Sequence, residues 1–174
     1  MFKARITLSG LAGTGKSTVA KLLAQTLGYE FMSVGNYART IALEKYQMTI
    51  NEFQQLCAEH PQLDQQIDEQ FKELCNQKTQ IVVDYRLGFK FVAGAKHILL
   101  KVSDEIACQR IKAAQRQQED VTPKGINSRN EDMRLRFLAK YGVDFSDDSN
   151  YHLVINTDEL SPAEVVQKIL NHFF

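Results

Sequence analysis

At 174 residues the chain has the size of one domain and enough length to bury a substantial core, so a single domain spanning 1–174 is expected. Its 21 Lys+Arg balance 21 Asp+Glu, which excludes a global field for nucleic acid or an anionic membrane and makes any cationic site local. Three cysteines, Cys57, Cys75 and Cys108, lack C-x-x-C spacing, which argues against a disulfide framework or a zinc site and for reduced structural thiols.

Met1-Phe2-Lys3-Ala4 carries no apolar signal core and leads into Arg5-Ile6-Thr7-Leu8-Ser9, whose β-branched and apolar residues predict a strand. No stretch approaches the length needed to span a bilayer, so a cytoplasmic protein with no membrane partner is expected. Next comes Gly10-Leu11-Ala12-Gly13-Thr14-Gly15-Lys16-Ser17, which fits G-x-x-x-x-G-K-[ST] at every fixed position. Val19, Leu22, Leu23 and Leu27 then recur at helical spacing, giving strand, loop and helix in order. Glycines in such a loop let successive N–H groups turn inward around a polyphosphate. Lys16 reaches the outer phosphates, the Ser17 hydroxyl can ligate Mg²⁺, and the helix from Ser17 to Leu27, with Thr18 in its first turn beside the ligand, adds its positive end. The expected ligand is a nucleoside triphosphate, ATP, with Mg²⁺.

Gly28 is a plausible helix end, and Tyr29 to Val34 predicts a short second strand closed by Gly35. Three helices follow: Asn36 to Tyr46, one capped by Thr49, and one opened by Pro61 with Leu63, Ile67, Phe71 and Leu74 at the right intervals. This excursion, about 36–78, interrupts a strand–helix alternation and suits an insert that closes over an acceptor. Gln80 to Asp84 predicts a buried parallel strand presenting Asp84 at its C-terminal edge, where ligands bind in such sheets. His97 to Val102 predicts another strand, followed by a helix capped at Ser103. Between Arg110 and Arg136 seven basic residues face four acidic ones, and the polar stretch Gln117 to Asn130, with Pro123 and Gly125, predicts a mobile loop between two helices. Tyr151 to Asn156 predicts the last strand, and Ser161-Pro162-Ala163-Glu164 a capping box with proline at the first helical position.

Phosphoryl transfer needs donor and acceptor in line, charge offset on the moving group and water kept out. Asp84 is placed to hold Mg²⁺ through a water, and Arg86 to grip an acceptor phosphate with its fork. Arg39 stands one helical turn beyond the small-residue edge Ser33-Val34-Gly35, which leaves room for a ligand. Arg129 and Arg136 lie seven apart and share a helix face that excludes Arg134, while Arg116 belongs to the preceding helix. The four histidines show no ligand or triad spacing. A guanine-specific switch is disfavoured, since no N-K-x-D segment is present and Asp84 to Gly88 has the wrong spacing for D-x-x-G.

With these residues in view, the chain resembles the nucleoside monophosphate kinases, most closely the archaeal-type cytidylate kinases. The segments that carry the resemblance are Ile6 to Leu27, Ser33 to Arg39, Asp64 to Asp68, Asp84 to Gly88, Arg129 to Asp144 and Tyr151 to Asp158. The resemblance implies a P-loop kinase fold of the α/β class, three-layered on a five-stranded parallel sheet, with a helical acceptor-binding insert and a short lid at about 113–131. It implies that Lys16, Arg116, Arg129 and Arg136 contact the transferred phosphoryl group, with Arg110 at the lid base. Ser33, Gly35, Arg39 and Arg86 would hold the monophosphate acceptor and Asp64 would help order its site, while Asn156 and Thr157 would lie along the donor adenine. Tyr85 stands where the resemblance leads one to expect glycine, and is expected to narrow the acceptor pocket or stack on a base. The implied reaction is ATP plus CMP or dCMP giving ADP plus CDP or dCDP in a monomer, with a kinase for another nucleoside monophosphate or a small hydroxylated metabolite as the alternative.

Overall fold

The computed structural model describes residues 4–114 and 121–174. Strand β1 (Arg5–Gly10) is the middle of a fully parallel sheet in the order β2-β3-β1-β4-β5, whose other strands are Glu30–Ser33, Ile81–Asp84, Ala95–Lys101 and Leu153–Asn156. Because side chains alternate across a strand, Ile6 and Leu8 point to one face with Val82, Ile98 and Leu100. There they pack on α1 (Lys16–Leu27) and α8 (Pro162–Phe173) through Val19, Leu23, Val165 and Ile169. Ile81 and Val83 point to the other face, onto Phe71 and Cys75 of α4 (Pro61–Gln77). The fold is therefore the expected three-layer α/β arrangement. From β1 the chain crosses to β2 on one side while β4 lies on the other, so a crevice opens at the C-terminal end of β1.

Between β2 and β3 stand α2 (Val34–Tyr46), α3 (Ile50–Glu59) and α4, which share a core of their own around Ile41, Phe53, Cys57 and Ile67. Thr49 caps α3 as expected and, beyond that expectation, closes a capping box with Glu52. Strand β2 stops at Ser33, so Val34 and Gly35 form the first turn of α2 instead of finishing the strand. The Ser33 hydroxyl, 3.4 Å from the Asn36 N–H, caps that turn. After β3 come the four-residue α5 (Gly88–Phe91), which the sequence reading lacked, and then α6 (Asp104–Ala113).

The expected loop over 117–130 is overturned from Pro123 onward, where α7 (Pro123–Tyr141) begins. Thr122 accepts from the Gly125 N–H at 3.1 Å, and Pro123 takes the first helical position, where its missing N–H costs nothing. The remainder of that stretch, with Arg116, lies in 115–120, outside the described residues. All three cysteines are buried free thiols. Among the described residues no helix is long and apolar enough to cross a membrane.

Midway along β1 and β4, His97 Nδ1 lies 2.8 Å from Thr7 Oγ1, and its ring is 5.3 Å from that of His152. Burial, followed by the neighbouring His152, pushes the His97 pKa down to about 4, below its unfolded value of about 6.5. The unfolded chain thus takes up this proton first. The stability tied to neutral His97 is complete above pH 6.5 and is lost as pH falls toward 4. After discounting for partial solvent screening, the expected loss is on the order of 1–2 kcal/mol. Urea titrations at pH 7.5, 6 and 5 should show this slope in the parent and a flatter one in His97→Gln, and equal slopes would exclude His97 as its source.

Candidate active site

The sheet delivers Gly10 to the crevice at the end of β1, and the chain turns through Gly13 and Gly15 into α1. Gly13 has φ +83°, and a Cβ there would lie 2.7 Å from Ala107 Cα, so only glycine lets α6 approach this closely. Thr14 is buried and donates to the Leu11 carbonyl at 2.8 Å, holding the loop in shape. Helices α2, α3, α6, α7 and α8 carry side-chain caps, whereas Gly15 at the head of α1, like His60 and Leu87 before α4 and α5, supplies none. What sets α1 apart is that its positive end opens onto the glycine loop, where an anion would meet it.

Lys16 Nζ lies 2.5 Å from Asp84 Oδ1, and Ser17 Oγ donates to the other carboxylate oxygen. Register explains the meeting. Asp84 ends β3, directly opposite Leu8 of β1 and Ser33 of β2, so one strand end brings the carboxylate to both the phosphate loop and the acceptor-side edge. A hydroxyl and one carboxylate are the hard oxygen donors that Mg²⁺ takes from a protein while phosphates and waters fill its other positions. The donor set fits that ion, although the described residues hold no cluster of three or more acidic, His or Cys ligands.

Arg86 is half-buried and donates from Nε to the Gly10 carbonyl at 3.1 Å. Removal from water lowers its pKa, Asp84 raises it, and the positive charge of Arg136 on α7 lowers it again. Arg39 bonds Asn36 Oδ1 at 3.0 Å and reaches back over Gly35 and Ser33. A cleft of about 650 Å³ joins these groups, bounded by the phosphate loop, Arg39 and Gln54 of the insert, Arg86, Arg110 and Thr157. Arg110 donates to Thr157 Oγ1 (2.9 Å) and O (2.6 Å) and to the Gly13 carbonyl (3.2 Å), tying the β5–α8 turn to the phosphate loop.

The structure therefore gathers Gly10 through Thr18, Arg39, Arg86, Arg110 and Thr157 about one cleft, with Ser33, Gly35 and Asp84 at its edge. Other expected residues lie elsewhere. Asn156 is exposed, accepts from the Asp158 N–H at 2.8 Å and lines a separate groove beside β5. Asp64 is exposed and pairs with Lys140 at 3.3 Å. Arg129 and Arg136 are both exposed on α7, and Arg134, off their face, pairs with Glu131 (2.7 Å) and Asp144 (2.8 Å). Tyr85 is corrected. Its ring is 3 % exposed and stacks on Phe91 at 5.8 Å, with its hydroxyl 2.7 Å from Asp68, so it enters the core instead of the pocket.

Two members of the site were missed. Ser9 holds the main chain at Arg86 by donating to its carbonyl at 2.7 Å, and nothing in the strand separates it from Thr7, a second buried hydroxyl. Gln54 adjoins the core residue Phe53 and has no signature that separates it from a solvated glutamine.

The chain is 55% identical over 171 residues to a protein of Lacinutrix mariniflava named S-adenosylmethionine-dependent nucleotide dehydratase, and covers 36% of that protein's length. It is 34% identical over 165 residues to a cytidylate kinase of Methanobrevibacter smithii, with 95% of each chain covered. Shikimate kinase of Bacteroides thetaiotaomicron superposes with a TM-score of 0.68 at 20% identity over 98% of both chains, a likeness of fold alone. Residues 5–159 match the model of the cytidylate kinase-like family, and the chain belongs to that family.

Proposed function

We propose that the chain transfers the terminal phosphoryl group of ATP to a pyrimidine nucleoside monophosphate, CMP or dCMP, giving CDP or dCDP. The observation that carries this is a single cleft with two anion-binding poles. The uncapped start of α1 with Lys16 and Ser17 is one, and Arg39 with Arg86 is the other. The acceptor's own phosphate oxygen attacks. With a second pKa near 6 it is ionised at neutral pH, so no general base is needed. Asp84 accordingly gives both oxygens to Lys16 and Ser17, and an alcohol acceptor would lack a base there. Names among the relatives, cytidylate kinases and a nucleotide dehydratase, also favour a nucleotide acceptor over a hydroxy acid.

Lys16 offsets charge on the donor phosphates, Arg86 and Arg39 orient the acceptor, and Arg136 and Arg129 approach from α7. Ser17 would hold Mg²⁺ directly and Asp84 through a water, and the ion would supply positive charge to offset that of the outer phosphates. Like charges gathered around one cleft come together only when an anion offsets them, so closure follows nucleotide binding. In a coupled ADP-release assay with Mg²⁺ and ATP, CMP or dCMP should give the highest kcat/KM among CMP, dCMP, UMP, AMP, GMP and hydroxylated metabolites. Faster turnover with a metabolite that carries no phosphate would overturn the proposal.

A further inference from the structure

Asp68, on the insert helix α4, lies outside the cleft and has no part in the reading above, yet each of its oxygens accepts a bond from a different element. Its Oδ1 accepts from the Tyr85 hydroxyl at 2.7 Å, and its Oδ2 accepts from the hydroxyl of Tyr141, the last residue of α7. Three elements therefore meet on one side chain: the insert, the segment after β3 and the arginine-bearing helix. The hydroxyls hold this carboxylate in place of water. Burial raises the Asp68 pKa, while Tyr141, Tyr85 and Lys140 lower it and Asp64, on its own helix, raises it.

A geometric need accounts for so costly a group. Near its start α7 packs on α6, with Ile126 buried beside Ala107, Cys108 and Ile111, and its C-terminal half rests on the core around Phe71, Tyr85 and Phe145 through a stripe of Met133, Phe137 and Tyr141, spaced four residues apart. Apolar contacts are non-directional, so the stripe alone sets neither the rotation of α7 nor its slide. Asn127 donates to Asp104 of α6 at 3.2 Å near the start of α7, and directional bonds at the C-terminal end fix the half that carries Arg136. Tyr141 bonds Asp68, and Lys140 pairs with Asp64 one turn earlier on α4. Tyr141 also meets Phe91 edge-on at 5.3 Å, and Phe91 stacks on Tyr85, so the two hydroxyls that reach Asp68 share a rigid aromatic wall. Five residues before Tyr141 on the same helix is Arg136, whose charge is felt at Arg86.

We propose that Asp68 is a positioning residue: by accepting both tyrosine hydroxyls it clamps α7 to the insert and so sets where Arg136 stands relative to Arg86 and the transferred group. This rests on the phosphoryl-transfer reading above. A misplacement of about 1 Å in such a site can cost about 10²-fold in rate. Tyr141→Phe keeps the ring and removes one bond, and should lower kcat about tenfold. Asp68→Asn, which retains a single acceptor oxygen for two donors, should cost more.

The decisive measurement is a double-mutant cycle with Arg136→Ala, using CMP as acceptor and active enzyme counted by nucleotide titration, so that unfolded material does not contribute. If Asp68 acts through Arg136, Tyr141→Phe costs less than about twofold once Arg136 is alanine, and Asp68→Asn loses its effect in parallel. Unchanged kcat in Tyr141→Phe, or equal losses in both backgrounds, would overturn the role of Asp68 while the kinase reading survives. A parent chain that phosphorylates no nucleoside monophosphate would overturn both.

Discussion

Lys16→Ala is expected to lower kcat by about 10³-fold, the scale on which losing a charge-stabilising donor registers in phosphoryl and acyl transfer. Lys16 touches the carboxylate of Asp84 at 2.5 Å, and the two side chains are only 13% and 8% exposed, so the pair sits where water screens little. The same substitution leaves Asp84 with Ser17 as its remaining partner, and a buried carboxylate stripped of its cation costs about 3 kcal/mol. Lower activity could therefore reflect either chemistry or folding, and a second variant separates them. Lys16→Ala with Asp84→Asn removes the stranded charge and should recover most of the urea midpoint while staying as inactive as Lys16→Ala. Turnover above about a tenth of the parent's in either variant, against an expected loss of about 10³-fold, would remove Lys16 from the reaction.

How much of this was legible beforehand follows from how local each signal is. The β1–loop–α1 unit was readable because its fixed glycines, Lys16 and the apolar spacing of Val19 to Leu27 all lie within one turn of what they specify. The helices capped by Thr49 and Ser161 were readable for the same reason, since a capping box is a four-residue device. The start of α7 was misread because Pro123 and Gly125 serve equally as turn punctuation and as a first-turn proline with a tolerated glycine, and Thr122 before them decides only once its hydroxyl is seen on the Gly125 N–H. Tyr85 was illegible for a different reason. Its direction is set by Phe71, Phe91 and Asp68, partners that reach it only after α4 has packed on β3. Arg86 and Asp84 stood out as charges at a strand end, whereas Gln54 reaches the cleft through the placement of α3 against α2 and α4, which no local pattern encodes.

Arg86→Ala should reduce kcat/KM for the acceptor by 10²- to 10³-fold, while KM for ATP changes less than about threefold. Nε is spent on the Gly10 carbonyl, so the guanidinium is fixed in orientation and its terminal nitrogens are the donors left for a phosphate. Ser9, donating to the Arg86 carbonyl, fixes the main chain beneath it. Burial lowers the Arg86 pKa, but an arginine starts so high that it keeps its charge at neutral pH, where the acceptor phosphate is ionised. A charge-assisted fork held in a half-dry site is worth about twice a neutral hydrogen bond per contact, which over two contacts gives the expected loss. Arg86→Lys tests the fork apart from the charge. One ammonium cannot both satisfy Gly10 and hold two phosphate oxygens at fixed geometry, so lysine should recover less than about tenfold of the defect. Full rescue by lysine would reduce Arg86 to a point charge, and a rise in KM for ATP with the acceptor constants untouched would move it to the donor side of the cleft.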